Sequence, residues 1–553
     1  MKMACRILAA LLAILMIVGM FAGCQQHQTG TTGSNGDNST TGNGEPEKHY
    51  LTATVTADMR VGDWIDREKF PVFQRFNEML EERGLYVTWN VVERDQYTTF
   101  LTTGLAAPDT LTEYLWLDGY INAAQKVECV ESGLFCSIDE ILKYSDGTAV
   151  KYYQDHPEIK GKVGYKGELW WLPEVMNYTI GGEVKPWGEP VGLLVREDWL
   201  TKLNMDIPTT PEAFEAYMAA CQANDMNGNG VVDEYYLRNF DTIDYGIASM
   251  YGVPSSYYGL NPTTAEVVST YEMAETKEYY KFMQNLVAKG YIKQDYVGVS
   301  DYPSGDEKEN KSAATWNYYC NNWTIAGIML PEGTPTANYV GCIPSTEKGY
   351  IQHDGSPLMD ARAAVFTKNL KDPKAAAILL DVMCSEEFAE LSVWGIEGVT
   401  YTVDANGNRA YVEDATNPEL GKLSGIAYGR DIWGFGQLPV PNLTTSMDPE
   451  MYELYCTTEK MAEVNQIGCK TAGTYTTHAD CYMQTPTQEE AEIMTELSTE
   501  LTTIYKQLHT DLLLGRIDVD TEWDSKVVQP LKEAGLDELL AVYQARANRY
   551  AGK

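Results

Sequence analysis

The sequence is poor in basic residues. It has 42 Lys and Arg against 79 Asp and Glu, which gives a formal net charge of -37. Nucleic-acid-binding domains carry clustered positive charge, so this balance argues against them as a class. It also argues against a protein that lies flat on anionic lipid. A strongly acidic surface favours solubility and is compatible with cation binding.

The sequence also lacks the common catalytic and metal motifs. The 6 His are scattered and none of the 11 Cys falls in a C-x-x-C spacing, so zinc and thiol redox sites are poorly supported. A single disulfide such as Cys129–Cys136 stays open. No G-x-S-x-G, H-E-x-x-H or P-loop occurs. Glycosidases need paired carboxylates, but among 79 acidic residues a pair is not diagnostic, and we predict that the protein is not an enzyme.

Only one long apolar run occurs, and it stands near the amino terminus. The run Ile7 to Ala22 follows a short basic segment and precedes Gly23-Cys24, the pattern of a secretory signal. Phe21-Ala22-Gly23-Cys24 resembles the lipobox of bacterial lipoproteins. The resemblance implies that residues 1–23 are a signal peptide and that Cys24 is lipidated. The alternative is a retained anchor, but a spanning helix needs about 20 apolar residues.

Residues 24–48 have almost no apolar side chains. Their Gly, Thr, Ser, Asn and Gln cannot bury a core, so we predict a flexible linker. The folded body is expected to begin near Tyr50. Together these features predict a body that is held by lipid at the extracytoplasmic face of the cell membrane.

Predicted strands alternate with predicted helices in the first part of the body. Tyr50 to Thr56, Leu85 to Glu93 and Leu111 to Leu117 have strand character, and helical spacing separates them. This order indicates an α/β fold with a parallel sheet that is covered on both faces. The remaining length of about 500 residues is too great for one core and predicts two lobes.

The run Asp225-Met226-Asn227-Gly228-Asn229-Gly230-Val231-Val232-Asp233-Glu234 is rich in oxygen ligands. Short oxygen-bearing side chains recur at alternate residues, and glycines allow a tight loop. Hard cations such as Ca²⁺ need six to eight oxygens, so we predict a structural cation site. A plain turn is the alternative. The loop is not a standard EF-hand, because its twelfth residue is Tyr236 and not Glu.

The aromatic residues indicate a carbohydrate ligand. The chain has 37 Tyr and 12 Trp but only 12 Phe, and Tyr and Trp combine an apolar face with a polar edge, as a sugar ring does. Any one Trp is more often a core residue than a sugar platform. Loop placement alone selects the candidate ligand-binding residues, which are Asp63, Trp64, Asp118, Tyr178, Trp316, Trp394, Glu397, Arg430 and Trp433.

Several stretches together resemble a known family. They are Asp198-Trp199-Leu200, Ile207-Pro208-Thr209-Thr210-Pro211-Glu212, the 225–234 loop, the stretch Gly395-Ile396-Glu397-Gly398 and the stretch Leu514-Gly515-Arg516-Ile517-Asp518. They look like the family 1 bacterial extracellular solute-binding proteins, most of all the large lipoprotein branch with alginate-oligosaccharide binders. The resemblance runs from about residue 50 to the carboxyl terminus. Trp199 and Trp523 fall in the helix motifs of this family and are expected to serve packing.

The resemblance implies a two-lobed periplasmic-binding-protein-like α/β fold with a ligand cleft between the lobes. Residues 49–188 and 305–395 are expected in lobe 1, and residues 189–304 and 396–553 in lobe 2. The family's structural Ca²⁺ carries over onto the side chains of the loop and one backbone carbonyl. These ligands would be Asp225, Asn227, Asn229, Asp233 and Glu234 and the carbonyl of Val231.

The implied function is that of a substrate-binding lipoprotein of an ABC importer. It would capture a carbohydrate, in our interpretation an oligosaccharide, and deliver it as a monomer to permease subunits in the membrane. The alternative is a surface polysaccharide-binding or polysaccharide-degrading lipoprotein without a transporter. An adhesin for host protein is a third interpretation that the helix motifs disfavour.

Overall fold

A computed structural model describes most of the body of the chain. The described residues are 46–56, 71–117, 120–175, 177–180, 183–186, 189–300, 304–319, 338–354, 358–407, 409–412, 416–417, 421–422, 458–471 and 473–553.

The described residues contain strands and helices in alternation. The strands are β1 His49–Thr56, β2 Leu85–Val92, β3 Tyr114–Trp116, β4 Leu172–Val175, β5 Asn177–Ile180, β6 Glu183–Pro186, β7 Glu189–Arg196, β8 Tyr235–Tyr236, β9 Tyr258–Leu260, β10 Val267–Ser269, β11 Ser312–Tyr318, β12 Tyr339–Gly341, β13 Gln352–Asp354, β14 Leu358–Phe366, β15 Tyr401–Val403, β16 Arg409–Tyr411, β17 Thr416–Asn417 and β18 Gly421–Lys422. The α-helices are α1 Pro71–Glu81, α2 Arg94–Ala106, α3 Ala123–Glu131, α4 Ile138–Ile141, α5 Thr148–Asp155, α6 Pro157–Val163, α7 Glu197–Leu203, α8 Pro211–Ala223, α9 Ile247–Tyr251, α10 Ala274–Ala288, α11 Ser304–Lys308, α12 Pro373–Met383, α13 Glu386–Val393, α14 Glu459–Lys470, α15 Gln488–Leu513, α16 Gln529–Glu533 and α17 Leu536–Tyr550.

The first sheet has the order β2-β1-β3-β14-β4. Strands β1, β2 and β3 are parallel, and β14 runs antiparallel to β3 and β4. On one face of β1, Leu51, Ala53 and Val55 are buried. On the other face, Thr54 and Thr56 are buried as well. A strand that is buried on both faces is what a parallel sheet between helix layers requires. The α/β fold class is therefore confirmed.

The second sheet has the order β12-β7-β11-β8, and β13 also pairs with β7. Strand β11 is antiparallel to β7 and parallel to β8. The predicted division places residues 305–395 in lobe 1 as a block, and that division stays a prediction. Residues 312–354 supply β11, β12 and β13 to the second sheet, and the chain returns to the first sheet only with β14.

The local sequence explains where helix α8 begins. The Thr210 hydroxyl accepts a hydrogen bond from the backbone N–H of Ala213 at 3.2 Å, and Pro211 occupies the first turn. A Thr cap and an early Pro satisfy or remove amide donors that have no partner inside the helix. The helix ends at Ala223 and delivers the chain into the 225–234 loop.

The 26-residue helix α15 links the two halves of the body. Near its amino end Thr495 donates to Glu128 of α3, at 2.8 Å. Near its carboxyl end His509 bonds to Tyr280 of α10, at 2.9 Å. Helix α15 therefore contacts α3 near one end and α10 near the other.

Cys129 and Cys136 are free thiols, so the disulfide left open by the sequence is not formed. Asp404 to Gly407 lie in a hairpin turn between β15 and β16. Within the described ranges, no helix has the length and apolarity needed to cross a membrane.

Candidate functional site

The carboxyl ends of the parallel strands define where a ligand is expected. In open α/β sheets, ligands bind in the crevice outside these ends. In the first sheet they are Thr56, Val92 and Trp116. In the second sheet the parallel pair β8 and β11 ends at Tyr236 and Tyr318. Polar and aromatic side chains near these ends are the candidates for ligand contact.

An aromatic–cationic cluster lies near the ends of β8 and β11. The guanidinium carbon of Arg238 lies 4.0 Å from the ring centroid of Trp316. The ring of Tyr245 meets Trp316 edge to face, with centroids 4.4 Å apart and planes at 89°. All three side chains are partly exposed. Two rings and a cation in such contact hold one another in place.

The indole Nε1 of Trp316 is a donor without an acceptor. The atom is buried and makes no hydrogen bond. A buried donor that is left unsatisfied costs about 1–3 kcal/mol. An incoming hydroxyl oxygen would relieve this cost, which is the chemistry that a sugar supplies.

The turn that carries Tyr245 is held in place by the buried carboxylate of the preceding residue, Asp244. The Asp244 carboxylate, which is fully buried, accepts hydrogen bonds from the hydroxyls of Tyr236 at 2.9 Å and Tyr279 at 2.8 Å. Burial raises the pKa of Asp244, while these hydrogen bonds oppose the rise. Gly246 follows, and a Cβ there would meet the Tyr236 hydroxyl at 2.7 Å. The site is therefore mounted on a rigid support.

The sequence selected Trp316 but missed Arg238 and Tyr245. Arg238 stands two residues after β8, and that placement was the only available signal. Its contact with Trp316 joins parts of the chain that are far apart in sequence. Tyr245 is one of 37 tyrosines, and nothing in its local sequence distinguishes it.

Trp394 and Glu397 have neighbours outside the Trp316–Arg238–Tyr245 cluster. Trp394 follows α13 and packs against Tyr401, with centroids 5.7 Å apart, and Arg409 lies 5.3 Å from its ring. Glu397 is exposed in the following turn. The structure therefore gives these residues neighbours other than those of Trp316, and their role in ligand binding stays a prediction.

The other predicted ligand residues lie outside what the structure describes. Tyr178 is in β5, where only the backbone is described. The residues outside the described ranges are Asp63, Trp64, Asp118, Arg430 and Trp433, together with the lipidation candidate Cys24. Asp63 and Trp64 follow β1, and Asp118 follows β3, so they come after carboxyl ends of the first sheet.

Two tryptophans were expected to serve packing, and they do. Trp199 is fully buried under the guanidinium of Arg196, which lies 4.3 Å from its ring. Trp523 is 3% exposed, and its Nε1 donates to the carbonyl of Tyr271 at 3.0 Å.

The predicted cation loop is closed by its own side chains. The two carboxylate oxygens of Asp225 accept from the backbone N–H groups of Asn229 and Gly230, at 3.1 and 2.9 Å. The amide nitrogens of Asn227 and Asn229 both donate to the Asp233 carboxylate, at 2.8 and 3.0 Å. Asn227 and Asn229 therefore meet at Asp233, which precedes Glu234, while Asp225 holds the backbone at Asn229 and Gly230.

Two carboxylates of this loop are buried without a full counter-charge. Asp233 is 6% exposed and Glu234 is fully buried. Glu234 accepts only weak backbone bonds, at 3.5 Å from Asn227 and 3.2 Å from Asp233, and the ammonium of Lys311 lies 3.5 Å from Asp233. Buried charge of one sign is costly unless it is paired.

These residues fit a bound cation. The Oδ1 atoms of Asn227 and Asn229 accept from the backbone N–H groups of Asn229 and Val231, at 3.1 and 2.7 Å, which leaves the amide nitrogens on Asp233. A bound cation would take the place of these contacts between amide nitrogen and carboxylate. Across the described ranges, no cluster of three or more His, Cys, Asp and Glu has metal-site geometry. The expected ligand set differs from such a cluster, because two of its members are amides and a third is the carbonyl of Val231.

Comparisons with known proteins agree on the fold. No protein-family model matches the chain. The polygalacturonan/rhamnogalacturonan-binding protein YtcQ of Bacillus subtilis is 21% identical over 342 residues, which cover 59% of this chain and 62% of that protein. The match thus spans less than two thirds of that relative's length.

Two solved structures cover nearly the whole body. The ABC-transporter substrate-binding protein FusA of Streptococcus pneumoniae, in complex with kestose, has a TM-score of 0.68 at 16% identity, over 91% of this chain and 100% of that one. A second structure of FusA is an EF-hand mutant. The alginate-binding protein AlgQ2, solved without calcium ion, has a TM-score of 0.62 at 16% identity, over 91% and 98% of the two chains. This chain therefore has the two-lobed α/β fold of the ABC-transporter solute-binding proteins, which confirms the predicted resemblance at the level of the fold.

Proposed function

We propose that this chain is the substrate-binding protein of an ABC importer and captures an oligosaccharide between its two lobes. The observation that carries the proposal is the Trp316–Arg238–Tyr245 cluster at the ligand-binding edge of the second sheet. The matched proteins are binding proteins and not enzymes, which supports a role in capture without catalysis.

The cluster offers the contacts that a sugar needs. The rings of Trp316 and Tyr245 supply apolar surface for the C–H face of a pyranose or furanose. The free Nε1–H of Trp316 and the guanidinium of Arg238 supply donors for hydroxyl oxygens. Residues from the first lobe would complete the site, and those predicted to do so are Asp63, Trp64, Asp118 and Tyr178. Trp394, Glu397, Arg430 and Trp433 are further candidates.

The ligand class is proposed, and the individual sugar is not. The ligands of the matched proteins are polygalacturonan or rhamnogalacturonan, kestose and alginate. These share saccharide chemistry but differ in charge and linkage. The alternative of a surface polysaccharide-binding protein without a transporter gains support from the polymer ligand in the name of YtcQ.

Titration calorimetry with neutral and acidic oligosaccharides and with peptides tests the proposal. We expect a saccharide to bind and Trp316→Ala to weaken it at least tenfold, because the platform and one donor are lost. Tyr144→Ala removes a tyrosine that is 50% exposed elsewhere and is the matched control. Binding of peptides with no binding of saccharides would overturn the ligand class. Sustained release of product from a glycan would show an enzyme instead.

We further propose that the 225–234 loop holds a structural Ca²⁺. Its ligands would be the side chains of Asp225, Asn227, Asn229, Asp233 and Glu234 and the carbonyl of Val231. The ion would supply the counter-charge that the two buried carboxylates lack. The EF-hand and calcium descriptions of the matched structures support this assignment.

Lipidation of Cys24, attachment to the outer face of the cell membrane and delivery to permease subunits by a monomer complete the proposal. The amino-terminal pattern supports the anchor, and the fold supports a permease partner. Metabolic labelling with a fatty-acid analogue is expected to mark the wild type and not Cys24→Ser. Label on the Ser variant would refute the anchor.

A further inference from the structure

A second groove lies on the outer flank of the first lobe. It has a volume of about 570 Å³ and runs between helix α1 and strand β2. Its lining comes from α1 through Gln74, Asn77, Glu78 and Glu81 and from β2 through Leu85, Tyr86, Val87 and Trp89. The groove follows the side of β2 and not its carboxyl end, so it is separate from the ligand-binding edge of the sheet.

The indole of Trp89 is a fixed platform in this groove. Its Nε1 donates to the side-chain oxygen of Asn77 at 2.9 Å. Its inner side packs against Phe73 and Phe76, with ring centroids 5.3 and 6.0 Å away. The ring lines the groove and is partly exposed. A ring that is already held in place loses little entropy when a ligand stacks on it.

The opposite wall is a row of polar side chains. Gln74, Asn77, Glu78 and Glu81 stand at helical positions i, i+3, i+4 and i+7, so they form one stripe about 10 Å long on α1. Gln74, Glu78 and Glu81 are exposed. Amide and carboxylate oxygens accept hydrogen bonds from hydroxyl groups. An aromatic floor beside such a wall matches the two kinds of surface that a sugar presents.

The charges of the wall select among sugars. Glu78 and Glu81 make it acidic, and Arg75 of the same helix is shared among Glu78, Glu82 and Glu387. On the strand side, the ammonium of Lys48 lies 5.3 Å from the ring centroid of Tyr86. An anionic sugar would meet like charge in the groove, which is unfavourable. The chemistry therefore favours a neutral glycan.

The edge of β2 adds open backbone groups. Strand β2 ends the first sheet, and among the described strands only β1 pairs with it. An extended peptide can add to such an edge, but it needs apolar pockets for alternate side chains. The charged and amide wall offers poor pockets of that kind, whereas it suits hydroxyl groups.

We propose that the groove between α1 and β2 is a second carbohydrate site, which holds a neutral glycan outside the cleft. It would retain a polymer, or the far section of a long oligosaccharide, near the protein. The assignment depends on the groove alone and goes beyond the proposed capture in the cleft.

Affinity electrophoresis in native gels that contain a neutral soluble polysaccharide (a glucan, a fructan or a mannan) tests this. We expect at least one polymer to retard the wild type and Trp89→Ala to lose most of the retardation. Because Trp89 also packs against the core, Gln74→Ala/Glu81→Ala is the second variant. It changes only exposed side chains and is expected to weaken retardation without changing the melting temperature. Trp316→Ala is expected to keep the retardation while losing cleft binding in calorimetry.

The outcomes separate the groove from the cleft. Retardation that survives in both groove variants and disappears in Trp316→Ala would overturn the groove and leave the proposed function intact. Loss of retardation only in the groove variants, with no oligosaccharide bound in calorimetry, would support the groove and count against capture in the cleft. No retardation by any neutral polymer, or protection of the β2 amides from hydrogen exchange by peptides alone, would overturn the groove.

Discussion

His509 shows how strongly burial acts on a single residue in this protein. The side chain is fully enclosed on α15, and its Nδ1 bonds to the hydroxyl of Tyr280 at 2.9 Å. Burial lowers the pKa of His509 from 6.5 to about 3. As the pH falls, His509 therefore takes up its proton at a higher pH in the unfolded chain than in the folded protein. The stability that neutral His509 contributes is complete above pH 6.5 and is lost between pH 6.5 and about 3.

We predict that His509→Phe reduces the pH dependence of unfolding. One such group accounts for about 2 kcal/mol of lost stability between pH 6.5 and 5. Denaturant unfolding at pH 7 and pH 5 measures the difference, and the variant should lose less stability than the wild type on acidification. Tyr280→Phe removes the hydrogen bond but keeps the imidazole, so it should be less stable at both pH values with the slope retained. An unchanged slope in His509→Phe would contradict the prediction. His353, whose burial lowers its pKa to about 4, should leave a residual slope in every variant.

The cation loop gives a second prediction for single residues. Asp233→Asn removes a carboxylate that gathers both loop amides. We expect Ca²⁺ at 100 times its dissociation constant to stabilise the wild type by about 2.7 kcal/mol and to have no effect on the variant. Thermal melting with Ca²⁺ and with chelator measures this. Asp404→Asn, in a hairpin turn of similar sequence, is the matched control and should not alter the Ca²⁺ response. Equal melting of the wild type with and without chelator would refute the ion.

At this scale the sequence predicts what depends on neighbours in the chain. The gathering of Asp225, Asn227, Asn229 and Asp233 is a property of one short loop, so its pattern was readable. The contact of Arg238 with Trp316 was not, because a loop after one strand meets another strand only once the sheet has formed. Tyr245 was not singled out among 37 tyrosines for the same reason, because its contact with Trp316 forms only in the folded protein.

At the scale of elements, α15 gives a direct test of capping. The Thr487 hydroxyl accepts from the backbone N–H of Glu490 at 3.2 Å, and the Glu490 carboxylate accepts from the backbone N–H of Thr487 at 2.9 Å, which forms a capping box. Arg549 of α17 donates to both Glu490 oxygens, at 2.7 and 2.6 Å. The box therefore also ties α15 to the last helix.

We predict that Thr487→Ala destabilises the protein by about 1 kcal/mol, because the cap is lost. Thr502→Ala makes the same substitution at an exposed position inside α15 and should stabilise by a few tenths of a kcal/mol, since Ala has the higher helix propensity. Denaturant unfolding of both variants compares the two effects. A loss of equal size in both would mean that the cap contributes nothing specific.

Element positions were more predictable than their partners. The start of α8 follows from the cap and proline chemistry of Thr210 and Pro211, which is local. The pairing of β11 with β7 was not predicted. The sequence of a short strand such as β11 does not show which sheet the strand joins. A buried strand can pair with either antiparallel or parallel neighbours, as β11 does with β7 and β8.

At the scale of the whole molecule, α15 limits how the lobes can move. It contacts α3, which lies in the first lobe, through Thr495, and α10 of the second lobe through His509. In the proposed closure around a ligand, the protein would turn about α15 or bend the loops beside it. Such hinge motions place the flexing in loops and leave packed helices intact.

We predict that a saccharide ligand both stabilises and compacts the protein. A ligand at 100 times its dissociation constant adds about 2.7 kcal/mol to the free energy of unfolding, and binding that favours the closed state shifts the population of lobes toward it. Thermal melting and small-angle X-ray scattering, measured on the same samples, report the two effects. Trp316→Ala should lose both at the ligand concentration that saturates the wild type, whereas Tyr144→Ala should keep both. Stabilisation without any decrease in the radius of gyration would mean that the ligand binds one lobe alone, and closure would then not be the step that a permease reads.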